Sequence, residues 1–180
     1  HVVYDATSYS GLLDAQKAVT GVRAIPGYDF SKAKTIVSVN ADFLGTWISP
    51  IEYANQYSKG RKIGNKNNKM SKHFQFEARM SMTGSNADTR VKIKPSQEGA
   101  TVAAIYNGVA TQLGGEKISV PKGVDVSSAV KALLNTKENS LLISGSNDVN
   151  VQILVAKTNQ LLATKAISGI SNYKQGSDSV

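Results

Sequence analysis

The chain contains no cysteine. That excludes disulfides, thiolate nucleophiles, thiolate zinc sites and Cys-ligated iron–sulfur clusters within these residues. It leaves the redox compartment open, because a cysteine-free protein suits either setting. Histidine is almost as scarce, with His1 and His73 alone. His1 is terminal, and His73 opens a strand-like segment where packing or plain exposure is the ordinary role. The chain has no nucleophile elbow, so no Ser–His–acid arrangement can be built. It has no His-Glu-x-x-His pattern, and its carboxylates lack metal-ligand spacing. No apolar run approaches the roughly 18 residues of a membrane span. No signal peptide is visible, and repeats and low-complexity blocks are missing.

What is present is an ordinary globular composition. The chain has 180 residues, of which 41% are hydrophobic and 19% charged, enough for one domain with a full core. The first residues, His1-Val2-Val3-Tyr4, already read as a strand, so the chain is expected to start inside a longer polypeptide. Net charge is +8. Lys59, Arg61, Lys62, Lys66, Lys69 and Lys72 cluster in one Asn- and Gly-rich segment, read as a solvated, mobile loop. Few aromatics interleave with it, so the stacking platform of a single-strand binder is missing and no nucleic-acid partner is expected.

Hydrophobic periodicity gives alternating strands and helices. Strands are expected at 2–6, 22–25, 35–39, 73–77, 90–94 and 140–144. Helices are expected at 11–19, 50–59, 97–113, 124–134 and 149–163. Pro26-Gly27 reads as a turn. Thr35-Ile36-Val37-Ser38-Val39 is the clearest strand, with four β-branched residues of five, as a buried parallel strand prefers. Ser49, Pro50 and Glu52 read as a capping box opening the next helix, which Gly60 should stop. The order implies an α/β fold: a three-layer, Rossmann-like, mostly parallel sheet with helices on both faces. Residues 1–170 form the single domain and 171–180 a flexible tail or linker.

Ligands of such sheets bind where loops leave the carboxyl ends of strands. Two loops qualify. One is Asn40-Ala41-Asp42-Phe43-Leu44-Gly45, and the other begins Gly145-Ser146. The candidate cofactor-contacting residues are therefore Asn40, Ala41, Asp42, Gly45, Gly145 and Ser146. Neither loop carries a phosphate-binding glycine fingerprint, and Phe43, Leu44, Trp47 and Ile48 make the first one bulky. The site reads as vestigial. The polar stretch Met82–Arg90 reads as a surface loop or a contact surface for another domain.

The segment from Phe30 to Gly45 resembles part of the molybdopterin oxidoreductase superfamily, in particular the molybdopterin-like iron–sulfur subunit of the alternative complex III type. The resemblance continues through Ser49-Pro50-Ile51-Glu52-Tyr53-Ala54, Gly60-Arg61, Met82–Arg90, Lys94-Pro95-Ser96-Gln97-Glu98, Ser140–Gly145 and a helix carrying Asn159. It covers most of Tyr28 to Ala163 in order. Catalytic members of the superfamily have a small Gly-Ala-Asn-Pro loop contributing to the pterin guanine dinucleotide site. Here Asn40-Ala41-Asp42-Phe43 stands instead. The resemblance thus implies a domain with no catalytic residue and no cofactor of its own, molybdopterin guanine dinucleotide included. It implies a parent whose iron–sulfur clusters sit in a separate Cys-rich portion, on the periplasmic face of a bacterial inner membrane. The implied partners are other domains of the same polypeptide and subunits of a membrane respiratory complex. Two alternatives stand beside it: a cofactor-binding domain of an active molybdopterin guanine dinucleotide oxidoreductase, and a basic nucleic-acid-binding module.

Overall fold

A four-stranded, all-parallel sheet lies at the centre of the computed structural model, which describes residues 7–64, 69–121, 123–171 and 173. In chain order the elements are α1 (Ser10–Thr20), β1 (Pro26–Tyr28), β2 (Thr35–Val39), α2 (Pro50–Arg61), β3 (Lys72–Glu77), α3 (Met82–Ser85), β4 (Thr89–Lys92), α4 (Glu98–Leu113), α5 (Ser127–Thr136), β5 (Ser140–Ser144), α6 (Val149–Leu161) and β6 (Ile167–Ile170). The sheet order is β4-β3-β2-β5, and β1 and β6 form a separate antiparallel ribbon. This is a Rossmann-like α/β fold. No helix among the described residues is long and apolar enough to cross a membrane.

The strands are buried on both faces, so alternate residues feed two cores. Ile36, Leu141 and Ile143 join a cluster with α1, α2 and the aromatic residues of the 28–57 region. Val37, Val39, Phe74, Phe76 and Leu142 face the opposite side, against α4, α5 and α6. β2 lies between β3 and β5, and all five of its residues are buried. Its β-branched run suits that place, because a central strand needs no polar face.

β5 has a strand on one side only, so its outer backbone groups need other partners. Side chains from α6 and the loop after it supply them. The Asn159 amide donates to Leu142 O (2.8 Å), and its carbonyl accepts from Leu142 N (3.0 Å). Gln152, two helical turns earlier, donates to Ser144 O at 2.9 Å. Thr164 donates to Ser140 O. Both amides are almost wholly buried, so they act as a surrogate strand along the edge.

Most expected elements form, with shifted ends. The strand expected at 22–25 does not. The next three residues form β1 instead, paired with β6 some 140 residues away in sequence, at Pro26↔Ile170 and Tyr28↔Ile167. Pro26 is tolerated because this ribbon has a free edge. Gly27 marks a close approach rather than a turn, since a Cβ there would sit 2.4 Å from Ser168 O. The Ser49 capping box is also absent. Ser49 has ψ 69 and makes no side-chain cap, because Ile48 precedes it at φ 55 and redirects the chain. Glu52 accepts from Gln56 Nε2 instead, at 3.1 Å. Gly60 lies inside α2, where a Cβ would come within 3.2 Å of Ser71 Oγ. The basic segment is divided: α2 takes Lys59 and Arg61, β3 takes Lys72, and 65–68 lie outside the described residues. Outside them too are the strand expected at 2–6 and most of the 171–180 tail.

Asn159→Ala should strip partners from two buried backbone groups. We expect a loss of about 3 kcal/mol in urea unfolding, against under about 0.5 kcal/mol for Asn150→Ala on the exposed start of the same helix.

Candidate functional site

The strand order reverses between β2 and β5: the chain moves from β2 outward to β3 and β4, then returns to the other flank of β2. A crevice outside the carboxyl ends of strands at such a reversal is the general ligand position of open α/β sheets. The two loops singled out in the sequence meet there. Gly145 N donates to Val39 O at 2.9 Å, and Asn40 N donates to Phe76 O at 2.7 Å. Asn40 takes φ 55, which an Asn side chain tolerates. A Cβ on Gly145 would sit 2.2 Å from Asn40 O. Gly145 therefore allows contact between two backbones of this chain.

The rest of the first loop folds inward. Ala41 is fully buried, and its carbonyl accepts from Ser38 Oγ at 3.0 Å. The Asp42 carbonyl accepts from Gly45 N, Thr46 N and Trp47 N at 2.8–3.0 Å, which ties the turn. The Asp42 carboxylate accepts from Thr83 N (3.0 Å) and Thr83 Oγ1 (2.7 Å), and Thr83 Oγ1 accepts from Leu44 N. A Cβ on Gly45 would meet that carboxylate at 2.2 Å. Phe43 is fully buried and stacks on Phe30, centroids 4.4 Å apart. Trp47 packs on Tyr28 and Tyr53 at 5.3 and 5.9 Å. Ile48 holds φ 55, a strained conformation for a β-branched residue, with its N–H on the Tyr9 hydroxyl. Ser146 serves its own turn: its hydroxyl accepts from Asp148 N and its carbonyl from Gln152 Nε2.

A cleft of about 470 Å³ remains at this edge, between residues 7–9, the Asn40–Trp47 loop, residues 77–81 and Gly145. The helix N-termini nearby already carry acids of the chain. Glu52 and Glu98 sit in the first turns of α2 and α4, and Asp148 caps α6 through Asn150 N and Val151 N. Burial raises the Glu98 carboxyl above its ordinary range, opposed by a hydrogen bond from the Asn40 side chain. A pyrophosphate needs free helix N–H groups and small close-approach residues. At the α6 N-terminus Asp148 takes up two of those N–H groups, and Gly45 and Gly145 face Asp42 and Asn40 of the same chain; the α2 and α4 N-termini carry no side-chain cap. Among the described residues no group of three or more His, Asp or Glu could hold a metal ion.

A second constellation was missed in the sequence. His73, Gln75 and Glu77 alternate along β3 on the face opposite Phe74 and Phe76, and all three are buried. Gln75 Nε2 donates to Glu77 Oε2 (3.2 Å), so Gln75 Oε1 faces His73 Nε2 (3.3 Å). That orientation makes Nε2 the protonated nitrogen and leaves Nδ1 an acceptor facing the Tyr57 hydroxyl at 3.2 Å, whose single proton the Asn86 carbonyl also reaches at 3.1 Å. Burial pushes the Tyr57 phenol up to about 12; Arg61 opposes this and Asp88 adds to it, so the hydroxyl keeps its proton. Glu77 closes the chain. Burial raises its carboxyl, but bonds from Ser81, Arg90 and Gln75 outweigh that and hold it below the ordinary range. Gly84 is needed beside it, since a Cβ would sit 1.9 Å from Glu77 Oε1. The stretch read as a surface loop thus forms α3 and a covering over this polar row, with Thr83 and Gly84 fully buried. The 41-residue separation of Asp42 and Thr83 hides their pairing from any local pattern.

A scan against protein-family models gave no match, and a search of curated proteins gave none either.

Two outcomes follow from this geometry. Gly145→Ala should cost about 3 kcal/mol in chemical denaturation, as overpacking against a fixed backbone. His73 should make the fold acid-sensitive. Burial lowers its pKa to about 4; Gln75, Asp88 and Glu77 oppose this and Arg61 reinforces it. The unfolded chain takes up a proton near pH 6.5 that the folded chain refuses until about pH 4. Stability should therefore fall by about 3 kcal/mol as pH drops through that window. Urea midpoints between pH 7.5 and 5 should slope in the wild type and flatten in His73→Gln.

Proposed function

We propose that this chain is a non-catalytic scaffold domain of a molybdopterin-oxidoreductase-like subunit in a respiratory quinol-oxidising electron-transfer complex. The observation that carries this reading is Phe43, fully buried in the loop after β2 and stacked on Phe30. Where the resembled catalytic proteins have a small loop beside their cofactor, this chain has an aromatic plug continuous with its core. The two glycines that could admit a phosphate face Asn40 and Asp42 of the same chain. The ordered resemblance from Tyr28 to Ala163 supplies the family, and with it the periplasmic face of a bacterial inner membrane. On this reading redox centres belong to Cys-rich parts of the parent, and this domain holds neighbouring domains and subunits in register.

One feature favours a second reading, in which the parent binds molybdopterin guanine dinucleotide and this domain forms half the site. The 470 Å³ cleft lies where an open α/β sheet would hold a dinucleotide. Metal analysis and pterin fluorescence of the purified full-length protein separate the two. The scaffold reading expects neither molybdenum nor pterin in stoichiometric amount. One molybdenum and one dinucleotide pterin per chain would overturn it.

A further inference from the structure

The amino end of the sheet carries a feature that the proposed scaffold reading does not use. A cleft of about 880 Å³ opens beneath the starts of β2 and β3, between the C-terminal ends of α2 and α5. Six lysines line it: Lys32, Lys34, Lys59, Lys69, Lys72 and Lys165. No carboxylate, arginine or aromatic ring is among its described lining residues. Lys32 reaches Asp29 at 3.4 Å and Lys165 reaches Glu138 at 2.9 Å. Lys72 Nζ lies over the Phe74 ring at 4.9 Å. Lys34, Lys59 and Lys69 are exposed and have no ion pair among the described residues.

Helix ends explain part of this charge. Parallel α/β architecture gathers helix C-termini at this edge, where cations offset the carbonyl ends. Lys59 does so in the last turn of α2, together with Arg61, which is bound to Asp88 and Ser71 O. α5 has no basic residue in its last turn. The other lysines come from strand starts and loops, so they exceed what two helix ends require.

A second observation points to an occupant. Ser71, on the cleft wall, is 6% exposed and its hydroxyl has no hydrogen-bond partner. A buried hydroxyl without a partner carries a desolvation cost that a ligand would relieve. Converging ammonium groups define that ligand as anionic. The remaining lining selects among anions. Asn135 and Asn139 offer amides that both donate and accept, as peptide groups require, and Met70 is half exposed. Among the described lining residues there is no guanidinium to supply a bidentate phosphate fork and no ring to stack on a base.

We infer that this cleft is a docking site for an acidic polypeptide segment of a partner protein, its carboxylates meeting Lys34, Lys59, Lys69 and Lys72. The inference stands whether or not the parent protein binds a pterin.

Fluorescence anisotropy of the full-length protein with a fluorescein-labelled peptide of alternating Glu and Leu tests it. The triple variant Lys34→Gln, Lys59→Gln, Lys72→Gln should weaken binding by about tenfold or more. The matched triple Lys17→Gln, Lys92→Gln, Lys94→Gln, with exposed lysines outside the cleft, should change it less than about twofold. The three cleft lysines changed to Arg should retain binding. Unchanged melting of each variant excludes unfolding as the cause. No binding by the wild type at low salt would overturn the site, and so would equal losses in the two Gln triples. Cleft-dependent binding of phosphatidylglycerol vesicles, inorganic tripolyphosphate or an oligonucleotide, with none of the peptide, would overturn the assignment of the occupant.

Discussion

Asn159 decides how the second half of the chain attaches to the first. Its side-chain amide closes both backbone groups of Leu142 on the open edge of β5, in the dry space under α6. An edge strand buried this way must have its N–H and C=O groups paired or bear a cost comparable to much of a domain's net stability. Gln152 and Thr164 extend the closure along the strand. With α6 held there, α1 and α4 both gain a surface to pack against. The loop between β5 and α6 then has one course. It crosses Asn40 at backbone contact, and Asn147 Oδ1 receives the N–H of Gly11 at the start of α1.

That course shapes the carboxyl edge. A Rossmann-like sheet offers a crevice at its strand reversal, and this protein has filled much of it with its own backbone and aromatic rings. Phe43, Trp47 and Tyr53 form a continuous layer with Phe30, Tyr28 and Tyr57. Asp42 points its carboxylate at Thr83, and Glu77 receives Ser81 and Arg90. Groups that could have faced a ligand are bound to one another. The His73–Gln75–Glu77 row extends this pattern: three polar residues on one buried face, each satisfied by the next. Such a row specifies β3 register against α2 and α3, because a slip by one residue would bury it among Val37 and Val39.

The two ends of the sheet differ in charge for a common reason. Parallel strands with returning helices put helix N-termini at one edge and C-termini at the other. Acids gather at the first, as Glu52, Glu98 and Asp148, and lysines at the second. The acids at the first edge are hydrogen-bonded within the chain, whereas at the second Lys34, Lys59 and Lys69 have no ion pair among the described residues. The carboxyl edge keeps a cleft of about 470 Å³ narrowed by the chain's own loops, and the amino edge a larger one of about 880 Å³ lined by lysines.

Local pattern alone determined β2 and β5, whose bounds agree with the expected strands, and the alternation that makes this an α/β fold. Dense β-branched or aliphatic runs have one stable home, the middle of a parallel sheet. It also marked Asn40 and Gly145 as neighbours of a strand end, and Phe43 as too large for a phosphate loop. Gly27, Gly60 and Gly84 were legible as glycines but not as contacts, because the atoms they make room for lie elsewhere in the fold. β6 carries no strong strand signal and exists through pairing with β1. Thr83 reaches Asp42, Asn159 reaches Leu142, and six scattered lysines converge on one cleft only after the sheet has formed. Periodicity reports which face of an element is apolar. Partners separated by tens of residues are chosen by packing and by the need to pair every buried polar group, and tertiary structure alone satisfies those conditions together.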